Sequence, residues 1–242
     1  METKVLIQKD TGKKYLVKNL NQDFHTSEGI ISKKDLKSKK TEIKTSKGKE
    51  FFSLKPNFVD LWENLKRGPQ VILQKDIGLI ITKTGLNQKS TVVDAGGGSG
   101  SLCCYLAHLC QKVTTYEIKK ELTSLLEHNK KLMNLNNLII KNQDICQGIQ
   151  EKNLDLITLD LPEPWKVLPH AQKALKLGGF LVAYLPNLTQ VKILVEHLRK
   201  NSFSLLAVEE LLERKWKIEN RIMRPEFQML GHTAFLIFSR RL

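Results

Sequence analysis

Apolar residues along the chain fall into two rhythms. Up to about residue 55 they alternate with polar ones over short runs: KVLIQ, then KYLVKNL after a TGK turn, EGIIS, and TEIKTSKGKEFFSL with an SKG turn inside it. This is the period of half-buried strands joined by hairpins, so residues 1–55 are expected to form a small β-domain. PNFVDLWENLKRG (56–68) changes to helical spacing, with Phe58, Leu61, Trp62 and Leu65 at i, i+3, i+4 and i+7. The stretch from Gln70 to Leu86 has the same spacing and stops at Gly85, so 56–89 reads as a helical connector. From Ser90 onward short apolar runs alternate with amphipathic segments. The runs TVVDA, KVTTYE, LIIKN, LDLITLD and GFLVAYLP are expected strands. LCCYLAHL, KKELTSLLEHNKKLM, KVLPHAQKALK and TQVKILVEHLRKN are the helices between them. Such a series builds an α/β domain with a mostly parallel sheet covered on both faces, here over 90–242. Two longer strands, FSLLAVEELLERKWKI and HTAFLIFSRR, are expected to pair antiparallel at its edge.

Composition narrows the class. The chain has 242 residues, 41 % hydrophobic and 26 % charged, as in ordinary globular proteins. Its apolar runs fall short of the roughly 18 residues of a membrane span, and METKVLIQKDTGKK lacks the apolar centre of a signal peptide, so a cytoplasmic protein is expected. Cys103, Cys104, Cys110 and Cys146 show neither a CxxC pair nor zinc spacing; buried or idle thiols are expected, an intersubunit disulfide being the alternative, and no metal. The net charge of +14 points to a polyanionic partner, nucleic acid above all, against the plainer reading of a lysine-rich surface. Its distribution favours the first. Residues 1–56 hold 14 Lys and no Arg against 7 Asp and Glu, which is half of the excess in under a quarter of the chain.

The candidate chemistry begins at VVDAGGGSGSL (92–102), where a strand runs into a helix through glycines. Gly96, Gly98 and Gly100 make a G-x-G-x-G turn. Glycine there allows positive φ and lets a ligand approach the backbone, while the helix start offers free N–H groups. A glycine-rich turn with no ligand is the alternative. The next strand ends in Glu117, 21 residues after Gly96, where a carboxylate is positioned for ribose hydroxyls. The third is followed by Asn142-Gln143-Asp144-Ile145, whose Asp144 can accept from an adenine amine. Three such features at successive strand ends outline a nucleoside pocket. The fourth strand ends in DLPEPW, crowding Asp160, two prolines and Trp165 beside it; a stiff turn with Trp165 packed on the core is the other reading.

On these residues the chain resembles the class I S-adenosylmethionine-dependent methyltransferases: DAGGGSG looks like their first motif, YE their second and NQDI their third. The resemblance implies a Rossmann-like seven-stranded sheet with an antiparallel final hairpin, and S-adenosylmethionine in place of NAD. DLPEPW is more specific. It resembles the tRNA (adenine-N1)-methyltransferases of the T-loop, which act at conventional tRNA position 58 and, in archaeal members, also 57. FHTSEGIISKKDL, RGPQVILQKDIGLI, LPNLTQV and RPEFQMLGHTAFLIFSRR are similar to other stretches of that family, so nearly the whole chain is covered. Carried over, the resemblance puts Gln70, Gly96, Gly98, Ser99, Gly100, Ser101, Leu102, Glu117, Asp144 and Ile145 on the cofactor, and Asp160 between cofactor and target adenine. It implies tRNA as partner, bound through the lysine-rich domain, and a homotetramer. Departures fall at Leu73, where the family has an aromatic or histidine, at Gln74 in place of proline, and modestly at Asp94 and Gly97. Trp165, or a residue of another subunit, is a candidate to replace the missing aromatic. His232, Arg221 and Arg224 are open between substrate contact and a structural or solvated role. Two other readings stand beside an active enzyme: a non-catalytic tRNA-binding subunit, and a small-molecule methyltransferase of corrin-precursor type.

Overall fold

The computed structural model describes residues 3–68, 71–219 and 221–242, and the chain divides into two compact units, 1–65 and 66–242. The expected connector 56–89 is thereby shared between them.

The first unit contains β1 (Lys4–Gln8), β2 (Lys14–Val17), β3 (Phe24–Thr26), β4 (Gly29–Ile31), α1 (Lys33–Lys37), β5 (Glu42–Lys44), β6 (Glu50–Leu54) and α2 (Phe58–Glu63). Four of the strands form an antiparallel sheet in the order β2-β1-β6-β5, and β3 pairs with β4. Strict alternation in EFFSL turns Phe51 and Ser53 inward and leaves Phe52 and Leu54 exposed. Leu6, Val17, Leu20, Ile31, Leu36, Ile43 and Phe51 make its core. The one-turn helix α1 interrupts the expected run of strands. Ser32 caps it by accepting from the Asp35 N–H, and Leu36 is its only buried residue, too little for a periodic signal. The helix expected over 56–68 is shorter: an Asn57–Asp60 capping box starts α2, and Asn64 ends it.

The second unit contains α3 (Gln74–Thr84), β7 (Thr91–Ala95), α4 (Ser101–Leu109), β8 (Lys112–Tyr116), α5 (Lys120–Met133), β9 (Leu138–Lys141), β10 (Leu154–Leu159), α6 (Leu168–Ala174), β11 (Leu175–Leu185), α7 (Leu188–Lys200), β12 (Phe203–Glu209), β13 (Trp216–Glu219), β14 (Ile222–Pro225) and β15 (Phe235–Arg241). Seven strands form one sheet in the order β12-β15-β11-β10-β7-β8-β9. It is a Rossmann-like methyltransferase sheet: the pairs from β11 to β9 are parallel, and β15 is antiparallel to both β11 and β12. The tail does pair as expected, with β15 inside the sheet and β12 at its edge. The long strand expected from Phe203, however, ends at Glu209. The charged LLERK stretch breaks the alternation, and Trp216–Glu219 pairs instead with Ile222–Pro225 in a separate hairpin. The helix expected over 166–176 is likewise divided: Pro164 opens a 3-10 turn that ends at Val167, and α6 starts at Leu168 with Pro169 in its first turn, where no N–H is needed.

From β7 the sheet grows one way through β8 and β9 and the other way through β10 and β11. A crevice opens at such a reversal, outside the carboxyl ends of the strands. The glycine turn follows β7, and Asp160 follows β10.

Candidate active site

The turn after β7 is held mainly by the protein itself. The N–H groups of Gly96 and Gly97 donate to the Tyr116 carbonyl (3.1 and 3.2 Å), and that of Gly98 to Oε2 of Glu117 (2.9 Å). Gly96 has φ +86°, and a Cβ on it would lie 2.1 Å from the Asp160 carbonyl oxygen. The Asp160 N–H in turn donates to the Ala95 carbonyl (2.8 Å), so the backbones after β7 and β10 touch. A Cβ at Gly97 would meet Thr115 and Leu126. Gly98 is different: its φ is +53°, but the nearest atom to an added Cβ is the Gly96 carbonyl oxygen at 3.7 Å, an ordinary contact, so among the four glycines of the turn this position has room for a side chain. Beyond it Ser99, Ser101 and Leu102 line a small cavity with Asp94 and Asp160, where the first turn of α4 presents N–H groups that have no intrahelical acceptor.

On the β8–β9 side lies a cleft of about 360 Å³ lined by Gly96, Glu117, Ile118, Asp144, Ile145 and Lys166, among others. Glu117 is buried, and its Oε1 accepts from the Lys119 N–H (2.9 Å) while Oε2 holds Gly98. Each oxygen keeps lone-pair capacity for a further donor. Asp144 caps a 3-10 turn by accepting from the Cys146 N–H (2.8 Å) through Oδ1, a bond that lowers its pKa.

Asp160 stands between two cavities. It lines the glycine-turn cavity and also a cavity of about 200 Å³ walled by Leu73, Tyr184, Pro186, Leu230, His232 and Thr233. Among the described residues nothing donates to its carboxylate. Burial, then the nearby Asp94 and Glu117, push its pKa up to about 7. Asp94 is fully buried and accepts from Thr158 (2.7 Å) and Thr115 (2.9 Å); burial still raises it to about 6. Three carboxylates around one crevice favour a cationic ligand and oppose a pyrophosphate. These residues therefore fit S-adenosylmethionine, whose sulfonium and ammonium are positive, better than a dinucleotide.

Of the residues singled out from the sequence, Gly96, Gly98, Ser99, Ser101, Leu102, Glu117, Asp144, Ile145 and Asp160 all line this crevice. Gly100 begins α4 as its N-cap, and Gln70 lies outside the described residues. Trp165 is corrected. It stacks on His197 (centroids 6.1 Å apart) and packs on the core, away from both cavities, so it does not replace the aromatic missing at Leu73. The second cavity is lined by the rings of Tyr184 and His232, and Tyr184 was passed over in the sequence as part of an apolar strand. Its hydroxyl donates to Asp76 Oδ2 (3.2 Å), as does Thr233 (3.0 Å), and Lys75 closes the network onto Asp76 Oδ1 (2.7 Å). Arg224 lies over the Phe227 ring.

Comparison with known proteins fixes the family. The model of the tRNA methyltransferase complex GCD14 subunit matches residues 50–224. The chain belongs to this tRNA methyltransferase family. A relative from Methanocaldococcus jannaschii, the tRNA (adenine(57)-N(1)/adenine(58)-N(1))-methyltransferase TrmI, is 35 % identical over 97 % of this chain and 94 % of its own. Among solved structures, an S-adenosylmethionine-dependent O-methyltransferase from Thermotoga maritima superposes with a TM-score of 0.90 at 31 % identity, covering 100 % of this chain and 93 % of its own. The tRNA (m1A58) methyltransferase TrmI of Aquifex aeolicus superposes with 0.84 at 29 %, covering 100 % and 97 %. The Thermotoga protein is described by a different acceptor atom; the family match and the other two relatives agree on tRNA or its adenine N1. For this GCD14/TrmI family member the full-length likeness extends over the basic first unit as well as the sheet.

Proposed function

We propose that the protein transfers a methyl group from S-adenosylmethionine to N1 of adenine 58 in the T-loop of tRNA. The observation that carries the reading is Asp160, a half-buried carboxylate that takes no donor among the described residues and lines both the glycine-turn cavity and the cavity of Leu73 and Tyr184. S-adenosylmethionine supplies an electrophilic methyl on a cationic sulfur. In this reading the start of α4 and the glycine turn hold its carboxylate end, Glu117 takes the ribose hydroxyls, and Asp144 with Ile145 takes the adenine. The target base enters the cavity of Leu73 and Tyr184 after flipping out of the folded tRNA. N1 carries a lone pair and needs no base to attack, but the ring gains positive charge as it does. Asp160 accepts from the N6 amine, orients the ring and stabilises that charge. It acts as orienter and electrostatic stabiliser, while alignment of the two reactants lowers the barrier further.

Lysines of the first unit are assigned to the tRNA phosphates. Lys9, Lys14, Lys44 and Lys49 are in ion pairs with Glu42, Glu50, Asp60, Glu63 or Asp10. The side chains of Lys33, Lys34, Lys39 and Lys40, like several other lysines of the unit, have no such partner among the described residues and are offered to the ligand. The reading includes a homotetramer acting in the cytoplasm, as the resemblance implies. Trp216, Ile218, Met223 and Phe227 are at least 60 % exposed on and beside the β13–β14 hairpin, an apolar surface suited to cover by further copies. Light scattering measures the mass directly, and a monomer removes that part.

The deciding experiment is transfer from labelled S-adenosylmethionine to an unmodified tRNA transcript, followed by nucleoside analysis and mapping. 1-Methyladenosine at position 58 is expected, and the same map reads position 57. Cofactor binding without transfer would leave the non-catalytic or small-molecule reading.

A further inference from the structure

His232 lines the second cavity and has no part in the reaction as described. Its ring lies 5.0 Å from that of Phe235, and both of its nitrogens face oxygen acceptors. Nδ1 is 2.5 Å from Oε1 of Glu210, the residue after β12. Nε2 is 2.8 Å from the carbonyl oxygen of Pro186, the residue after β11. A carbonyl oxygen only accepts, so Nε2 carries a hydrogen; the Nδ1 contact with a carboxyl group needs a second proton between the two atoms. Neutral imidazole has one N–H and cannot serve both. The geometry thus holds one proton more than a neutral histidine beside a carboxylate. The three segments it ties, after β11, after β12 and before β15, come together at the rim of the cavity that Pro186 and His232 themselves line.

We propose that His232 is a positioning residue of the acceptor cavity, an imidazolium clasp that holds the Pro186 loop and the Glu210 end together and thereby fixes the wall against which the incoming base is held. The inference rests on the proposed function for what enters the cavity, but the clasp itself does not. Glu210 faces the ring as its hydrogen-bonded partner and raises its pKa, as does the Pro186 carbonyl; Lys75, reaching over from α3, opposes them, and Asp160 lies deeper in the same cavity. The sign follows. A histidine raised above its ordinary value of about 6.5 keeps the clasp fully formed below that value, and loses it as pH rises through the raised one. Loss of one bond loosens the wall, which weakens the hold on the base in ground state and transition state alike. The effect therefore falls on KM for tRNA and spares kcat.

Two measurements test this. Proton NMR of the His232 ring, assigned by its disappearance in His232→Gln, should show a titration midpoint above 6.5 that falls toward 6.5 in Glu210→Gln. In steady-state assays on tRNA transcript between pH 6.5 and 9, KM should rise roughly three- to tenfold along an alkaline limb, the span of one hydrogen bond. That limb should move to lower pH in Glu210→Gln and vanish in His232→Gln, with kcat following the wild-type profile. A midpoint at or below 6.5 in the wild-type protein, or one KM profile shared by all three, overturns the clasp. If His232→Gln does not fold, Glu210→Gln carries both arms. Failure of any methyl transfer to tRNA would defeat the proposed function, whereas the NMR titration would still decide the clasp.

Discussion

The two sides of Asp160 are built by different means. On the donor side one contiguous stretch, 92–102, makes most of the wall beside Asp160, and much of what it contributes is backbone: N–H groups, tight turns and the absence of Cβ atoms; Glu117, Asp144 and Ile145 add side chains from the next strand ends. On the acceptor side the wall is assembled from side chains 71–73, 184, 186, 230, 232 and 233, of which those after β11 and before β15 meet because β15 returns beside β11. Three glycines of the donor turn are required by the protein's own packing, Gly96 against the Asp160 backbone, Gly97 against Thr115 and Leu126, and Gly100 against Leu126. A glycine-rich turn is thus as much a close contact between two strand ends as a cradle for a ligand. It is also the contact that sets where Asp160 stands for the other side.

Removing Asp160 should break the reaction without breaking either wall. Asp160→Ala is expected to lower kcat by roughly a hundred- to a thousandfold, the range for losing one preorganised group at a site of developing charge. The S-adenosylmethionine Kd, by calorimetry, should change far less. Unaltered turnover would remove Asp160 from the mechanism. The same carboxylate predicts a pH limb. With its pKa raised to about 7, the working ionised form is lost as pH falls through that value, and kcat/KM, which reports the free enzyme, should fall with it. Asp94 contributes to the rise, so Asp94→Asn should move the limb to lower pH; an unmoved limb would assign it to another group.

Gly96→Ala tests the contact between the two sides. The left-handed backbone and the 2.1 Å approach to the Asp160 carbonyl together should cost about 2–4 kcal/mol of stability in denaturant unfolding. Gly98→Ala, where an added Cβ meets no clash and only the φ is strained, should cost about 1 kcal/mol. Equal losses at the two positions would mean that the contact with Asp160 does not govern the turn.

This division also explains what was legible in the sequence. Asp94, Gly96, Glu117, Asp144 and Asp160 each sit at the end of an apolar run, so strand order and spacing alone bring them to one edge. Tyr184 and Thr233 could not be found that way. Tyr184 is one more apolar-looking residue in GFLVAYLP, and its partner Asp76 is 108 positions away. Trp165 misled because its neighbours in DLPEPW line the crevice, whereas Pro164 opens a turn that directs the indole onto His197. The helix α1 and the β13–β14 hairpin were missed for a local reason: each is shorter than the window over which a period can be read.

Neutralising Lys33, Lys34, Lys39 and Lys40 to Gln tests the acceptor through its phosphates and not through the base. Binding of tRNA is expected to weaken, and the slope of log K against log salt to flatten by up to about 3, at roughly 0.7–0.9 per phosphate contact. The cofactor Kd should be unchanged. An unchanged slope would take the first unit out of tRNA binding.

The smallest expected effect is the sharpest probe of the acceptor wall. Tyr184→Phe keeps the ring and removes only the hydroxyl that donates to Asp76 Oδ2. If the ring is what the base meets, KM for tRNA should rise only a few-fold, the worth of one hydrogen bond of about 0.5–1.5 kcal/mol lost from the network that fixes its angle. Asp76 stays satisfied by Lys75 and Thr233, so the fold should lose no more than that. Tyr184→Leu removes the ring as well and should raise KM further, by the 1–3 kcal/mol of a base–aromatic stack. Should both variants give the same small change, the ring does not hold the base, and the wall of this cavity is aliphatic on both faces, as Leu73 already is on one.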